Sequence, residues 1–172
     1  MKRISGLALT TIAALCLTVG AAQMGPLAQQ QRPVESSMTN LEINIPEVIA
    51  EVKMAYDRYN EAVNSGNIAV LNATFHNDPR TIRYGGAENL YGYKEIEGYR
   101  AGARGLDPPR TYEKMTITTY GRDFAVASTL THRTNLPGRV GRQMQTWVRF
   151  PEGWRVVAAH VSTIDEPPAG KP

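Results

Sequence analysis

The apolar period of the chain changes once, at Arg110, and that change limits what the chain can fold into. Before it, Val48, Ile49, Val52, Ala55, Tyr56, Tyr59, Ala62 and Val63 fall three and four apart. That spacing predicts a long amphipathic helix. Pro46 suits its first position, Glu47 suits the positive end of its dipole, and Asn64-Ser65-Gly66 ends it. After Arg110 the period is two. Thr111 to Tyr120, Phe124 to His132, Arg139 to Phe150 and Trp154 to Ile164 read as four long strands. The turns between them fall at Gly121-Arg122-Asp123, at Asn135 to Gly138 and at Pro151-Glu152-Gly153. Strands joined this way form an antiparallel meander.

Two further helices precede the strands. Asn67 can cap a short one with Ile68, Leu71 and Phe75 inward, stopped by Asp78-Pro79. A third spans Tyr93 to Arg104, weakened by Gly98 and Gly102 and followed by Pro108-Pro109. Three helices ahead of one meander predict an α+β class, with helices covering one face of the sheet. The order of elements predicts a cone. A curved antiparallel sheet wraps the long N-terminal helix, a cavity lies at the open end, and the convex face is free to pair with another copy.

The flanks read differently. Residues 1–22 begin with Lys2-Arg3, continue without charge and reach the small pair Ala21-Ala22, the pattern of a cleaved signal peptide. The expected location is periplasmic or secreted, with no stable membrane insertion after cleavage. The single cysteine, Cys16, lies in this leader behind Leu15, which does not suit lipidation. The mature chain then has no disulfide and no thiol chemistry. Losing Lys2 and Arg3 brings the net charge from +3 to about +1, so the basic balance is no nucleic-acid signature. Residues 23–40 hold four glutamines, two prolines and two serines and read as a flexible tether; residues 166–172 read as a disordered tail. Residues 41–165 are left as one domain.

The densest chemistry lies between Asn77 and Gly92. If Thr81 to Tyr84 is a short strand, Thr81 and Arg83 share one face, and a guanidinium stands where a core strand would carry an apolar group. Arg83 offers a planar donor fork suited to carboxylates; a salt bridge to Glu88 or Asp78 is its structural alternative. Tyr59, late in the first helix, can project its hydroxyl into the cavity or serve as a core aromatic. Tyr84, Asn89 and Tyr91 are candidates for the same mouth. On the last strand, alternation groups His160 and Ser162 with Trp154 and Val156. His160 is either a proton carrier or anion ligand on a pocket floor, or half of a polar pair at a subunit contact. Ser162 is a ligand-binding candidate on the same pocket floor; no G-x-S-x-G elbow surrounds it, so it is not read as a nucleophile. On the third strand, Arg142, Met144 and Thr146 alternate with Gln143, Gln145 and Trp147. Pattern alone does not say which set faces a cavity, and a bulge would exchange them. Trp147 is a core or interface aromatic, or a ligand platform. The three histidines have no metal-ligand spacing, and no phosphate loop is present, so no metal or cofactor is expected.

The segments Asn44 to Val52, Asp78 to Gly92, Tyr120 to Leu130 and Gly141 to Ser162 carry a family likeness. They resemble the SnoaL-like family of the nuclear transport factor 2 / ketosteroid isomerase fold. Within it they are most similar to small proteins encoded beside amidohydrolases of oxalurate and cyanuric-acid breakdown. The resemblance implies a cone-shaped, cystatin-like roll and a homodimer formed through the sheet. One branch is linked to decarboxylation of 1,3-dicarboxyurea. It implies a pocket using a tyrosine late in the first helix and the arginine of the RTIRYG motif, here Tyr59 and Arg83. His160 or Arg142 would then take a second carboxylate or the urea oxygen. The expected partner is a small anionic molecule. The leader departs from those cytoplasmic relatives, so a non-catalytic binding or oligomerisation module of the same fold stands as the alternative.

Overall fold

The computed structural model describes residues 41–166. The leader and tether expected over 1–40, and all but the first residue of the expected tail, lie outside them. Helix α1 runs Pro46–Ser65, α2 Ile68–Thr74 and α3 Tyr93–Arg100. Six strands follow or interleave: β1 Ile82–Tyr84, β2 Asn89–Tyr91, β3 Thr111–Tyr120, β4 Phe124–His132, β5 Arg139–Phe150 and β6 Gly153–Asp165. The sheet order is β2-β1-β6-β5-β4-β3. All pairs are antiparallel except β1 with β6.

The local signals act as their chemistry requires. Gly66 closes α1 in the left-handed region at φ 71°, with its N–H on the Ala62 carbonyl. Any side chain there would also collide with the backbone at Gly105. That close approach ties the end of α1 to the loop before β3, where Leu106 N donates to Asn64 O at 2.9 Å. The Asn64 amide adds two bonds to the Arg110 backbone, at 3.1 and 3.3 Å. Asn67 caps α2 through Val70 N at 3.1 Å. Helix α3 stops four residues earlier than its pattern suggests. The Ala101 N–H bonds back to Gly98, and Gly102 does not favour another turn.

One face of α1, with Val48, Val52, Tyr56, Tyr59 and Ala62, is buried on the sheet. Beneath it lie Ala125 and Ala127 of β4, Trp147 of β5, and Val156 and Ala159 of β6. Trp147 is fully buried, edge-on to Tyr56 at 6.3 Å between centroids. No helix among the described residues is long and apolar enough to cross a membrane.

Two expectations need correction. The sheet is mixed, because β1 joins β6 in parallel, and it is open and not strongly curled, so a cone overstates it. The alternation of β6 also breaks. Between the pairs Thr146–Ala158 and Trp147–Val156 the register slips by one residue, leaving Val157 unpaired. Trp154 and Val156 therefore face the helices, whereas His160 and Ser162 face away from them; past the bulge the inward residue is Ala159.

Candidate functional site: an arginine-lined cavity

The end of α1, α2, α3, β1 and β6 enclose a cavity of about 140 Å³. Tyr59 reaches it from α1 and is 3 % exposed, its ring tilted against Phe75 at 6.1 Å. Arg83 reaches it from β1. Register accounts for this: Arg83 lies opposite the inward-facing Ala159, and Tyr84 lies opposite the outward-facing His160. Helix α3 supplies Tyr99 and Arg100, and the segment fastened to α1 supplies Arg104 and Arg110. Val63, Leu71, Leu106 and Val161 are among the apolar remainder, and no acid lines the space. A volume of this order accommodates a molecule about the size of benzene.

Four guanidiniums thus converge with one carboxylate beside them. Glu88, at the tip of the β1–β2 hairpin, pairs with Arg83. Burial alone would raise the Glu88 carboxyl, but the Arg83 hydrogen bond and charge outweigh it and hold the group below its ordinary range. Gly85 permits the pair, since a Cβ there would occupy the space of the Glu88 carboxylate. Arg83 also lies over the Tyr99 ring at 5.5 Å. Burial, then the Glu88 charge, pushes the Tyr99 hydroxyl up.

Arg110 belongs to a network. Its Nε donates to the Tyr112 hydroxyl at 2.8 Å and its Nη2 to Gln143 Oε1 at 2.9 Å. Gln143 in turn donates to the Tyr56 hydroxyl at 3.0 Å and to Asn60 Oδ1 at 3.2 Å. Burial pushes Tyr56 up to about 12. Arg100 is 5 % exposed. Its Nη1 donates to the Leu71 carbonyl at 2.6 Å and its guanidinium lies over Phe75 at 4.1 Å.

The remaining sequence candidates lie elsewhere. His160, Ser162 and Arg142 line a separate, open concavity of about 500 Å³ on the outer sheet face, with Lys114, Ser128, Leu130 and Met144. Arg142 Nε donates to Ser162 Oγ at 3.1 Å. Tyr84 points to this side as well, its ring edge-on to His160 at 6.3 Å and its hydroxyl 3.2 Å from that of Tyr91. Asn89 is exposed on β2, and Trp147 is in the core. The cavity therefore unites Tyr59 with Arg83 and leaves His160, Arg142, Ser162, Tyr84, Asn89, Tyr91 and Trp147 outside. The sequence reading missed Arg100, Arg104, Arg110 and Tyr99. Arg100 had a signal: it falls four residues after Ile96, on the buried face of α3. Among the described residues no three metal-ligating side chains converge.

Residues 41–167 match the model of the AtzH-like family. No curated protein matches the chain. Among solved structures, the chain is similar to a protein with unknown function from the DUF3225 family of Pectobacterium atrosepticum. That likeness has 47 % identity and a TM-score of 0.69, covering 72 % of this chain and 95 % of that one. A cystatin-like fold protein from Burkholderia xenovorans has 40 % identity and a TM-score of 0.71, covering 74 % and 99 %. A ketosteroid isomerase-like protein from Erwinia carotovora atroseptica, at 20 % identity, TM-score 0.59 and coverage of 70 % and 98 %, shares the fold.

Proposed function

The chain belongs to the AtzH-like family, within the nuclear transport factor 2-like, cystatin-like superfamily, and from this we propose that its cavity binds a small carboxylate and releases CO2 from it. That superfamily includes both enzymes and ligand-binding proteins. The observation carrying the proposal is that Tyr59 and Arg83 line one pocket whose lining holds four arginines and no acid. The substrate class is an N-carboxylated urea such as 1,3-dicarboxyurea, the compound suggested by the likeness to proteins of oxalurate and cyanuric-acid breakdown.

The chemistry is short. The bond between the carbamate carbon and nitrogen breaks, its electron pair stays on nitrogen, and CO2 leaves. The nitrogen then takes a proton. Arg83 holds the carboxylate that is retained, because gripping the departing one would stabilise the charge that must leave it. Negative charge spreads from nitrogen onto the urea oxygen, where fixed guanidiniums favour it. Tyr59 delivers the proton and recovers it from water. A labile carbamate needs positioning more than a strong catalyst. The decay of 1,3-dicarboxyurea tests this. Wild-type protein accelerates it and Arg83→Ala returns it to the protein-free rate; equal rates with and without saturating wild-type protein would sink the proposal.

The homodimer and the exported location belong to the same proposal. The outer face carries Met144 at 57 % exposure and a broad concavity, which supports a contact with a second copy. Export is supported by the pattern of residues 1–22, and N-terminal sequencing of protein recovered from the periplasm checks it. A chain beginning at Met1 would rule out cleavage.

A further inference from the structure

Arg100 is the cavity arginine that neither reaches solvent nor meets an acid. Arg83 has Glu88, Arg104 is exposed, and Arg110 is absorbed by Tyr112 and Gln143. Arg100 has the Leu71 carbonyl at 2.6 Å and the face of Phe75, and no carboxylate among the described residues pairs with it. A guanidinium keeps its charge even when buried, and an uncompensated buried charge is costly. The carbonyl and the ring offset part of that cost. The Leu71 carbonyl and the Tyr59 hydroxyl engage the fork, and the rest of its five N–H donors are uncommitted. Burial opposes the Arg100 charge most; Tyr59 favours it, and the Arg83 charge opposes it to a lesser degree. Arg83 already has Glu88, so Arg100 is the cation of this space without a negative partner, and a ligand with two negative groups can bring one to it while the other meets Arg83. The outer-face residues His160 and Arg142 cannot supply the second contact, being on the other side of the sheet.

We propose that Arg100 is a specificity-determining residue of the cavity: it takes the second carboxylate of a small dianion whose first carboxylate is held by Arg83, so the site prefers dicarboxylates. This rests on the anion-binding reading above and adds to it a residue and a selectivity. The ligand spans the cavity from β1 to α3, past the Tyr59 hydroxyl.

Titration calorimetry with stable probes tests it, using malonate and succinate against acetate and propionate. Wild-type protein is expected to bind the better dicarboxylate about tenfold or more tightly than either monocarboxylate, the scale of an added charge-assisted contact. Arg100→Met removes the charge at similar volume. It is expected to abolish that preference by weakening dicarboxylates about tenfold and monocarboxylates by much less, since Arg83 is untouched. A merely structural Arg100 would weaken both ligand classes alike, which overturns the proposal. So does a preference that survives in Arg100→Met. If that variant does not fold, Arg100→Lys carries the test. Without the planar fork it is expected to lose about threefold or more of the dicarboxylate preference, and an unchanged preference overturns the proposal. Should wild-type protein bind no carboxylate of either class, the anion-site reading itself fails; should it bind both equally, only the role of Arg100 does.

Discussion

At the scale of single residues, the Arg83–Glu88 pair decides how the cavity arginine is presented. Its dependence on pH follows from the depressed Glu88 carboxyl. The folded value lies below the ordinary 4.5, so the stabilisation is fully present above that value and is lost as pH falls through the folded one. Glu88→Gln is expected to cost roughly 1 kcal/mol at pH 7, the scale of a partly screened pair. The gap from wild type should close below about pH 4.5 in thermal melts taken across pH. A gap that widens on acidification would mean the pair is not stabilising. Gly85→Ala should act through the same pair, because its Cβ displaces the Glu88 carboxylate. The double variant is then expected to melt no lower than Gly85→Ala alone; additive losses would show that Gly85 does something else. Arg83 was legible in the sequence because a guanidinium broke the apolar face of a short strand. Arg100 was legible as a residue on the Ile96 face of its helix, but a single charge there gave no sign that it lines a cavity.

At the scale of elements, the change of period at Arg110 was enough to place three helices and the four-strand meander. β3, β4 and β5 match the expected ranges, and β6 is longer by one residue at each end. Two things escaped. One is the parallel pairing of β1 with β6, which is long-range and leaves no local pattern. The other is the bulge at Val157, which shifts the alternation of β6 by one residue and moves His160 and Ser162 to the outer face. Period two carries no warning of an extra residue. The face assignment makes a direct prediction. Ala159→Lys buries an ammonium beside Arg83 on the helix side and is expected to cost about 3 kcal/mol or more. His160→Asp on the outer face should stay within about 0.5 kcal/mol. Urea unfolding midpoints separate the two, and similar costs, or the reverse order, would contradict the register.

At the scale of the molecule, an open mixed sheet covered by helices on one face leaves the other face to be explained. Met144 and Phe124 are 57 % and 40 % exposed there, beside a concavity that holds Arg142 and His160. With a second copy on this face, sedimentation velocity at micromolar concentration should give a dimer, and Met144→Glu should convert it to monomer. A wild-type monomer under those conditions would contradict the proposed contact. The open sheet also divides residues that the sequence reading expected in one pocket: Tyr59 and Arg83 lie on the helix side, Arg142 and His160 on the other. A crystal of the protein grown with malonate distinguishes the two sides most directly. The account predicts malonate density between Arg83 and Arg100, against the Tyr59 hydroxyl. Malonate seated only at Arg142 and His160, or an ordered structure with none in the arginine-lined cavity at saturating malonate, would contradict it.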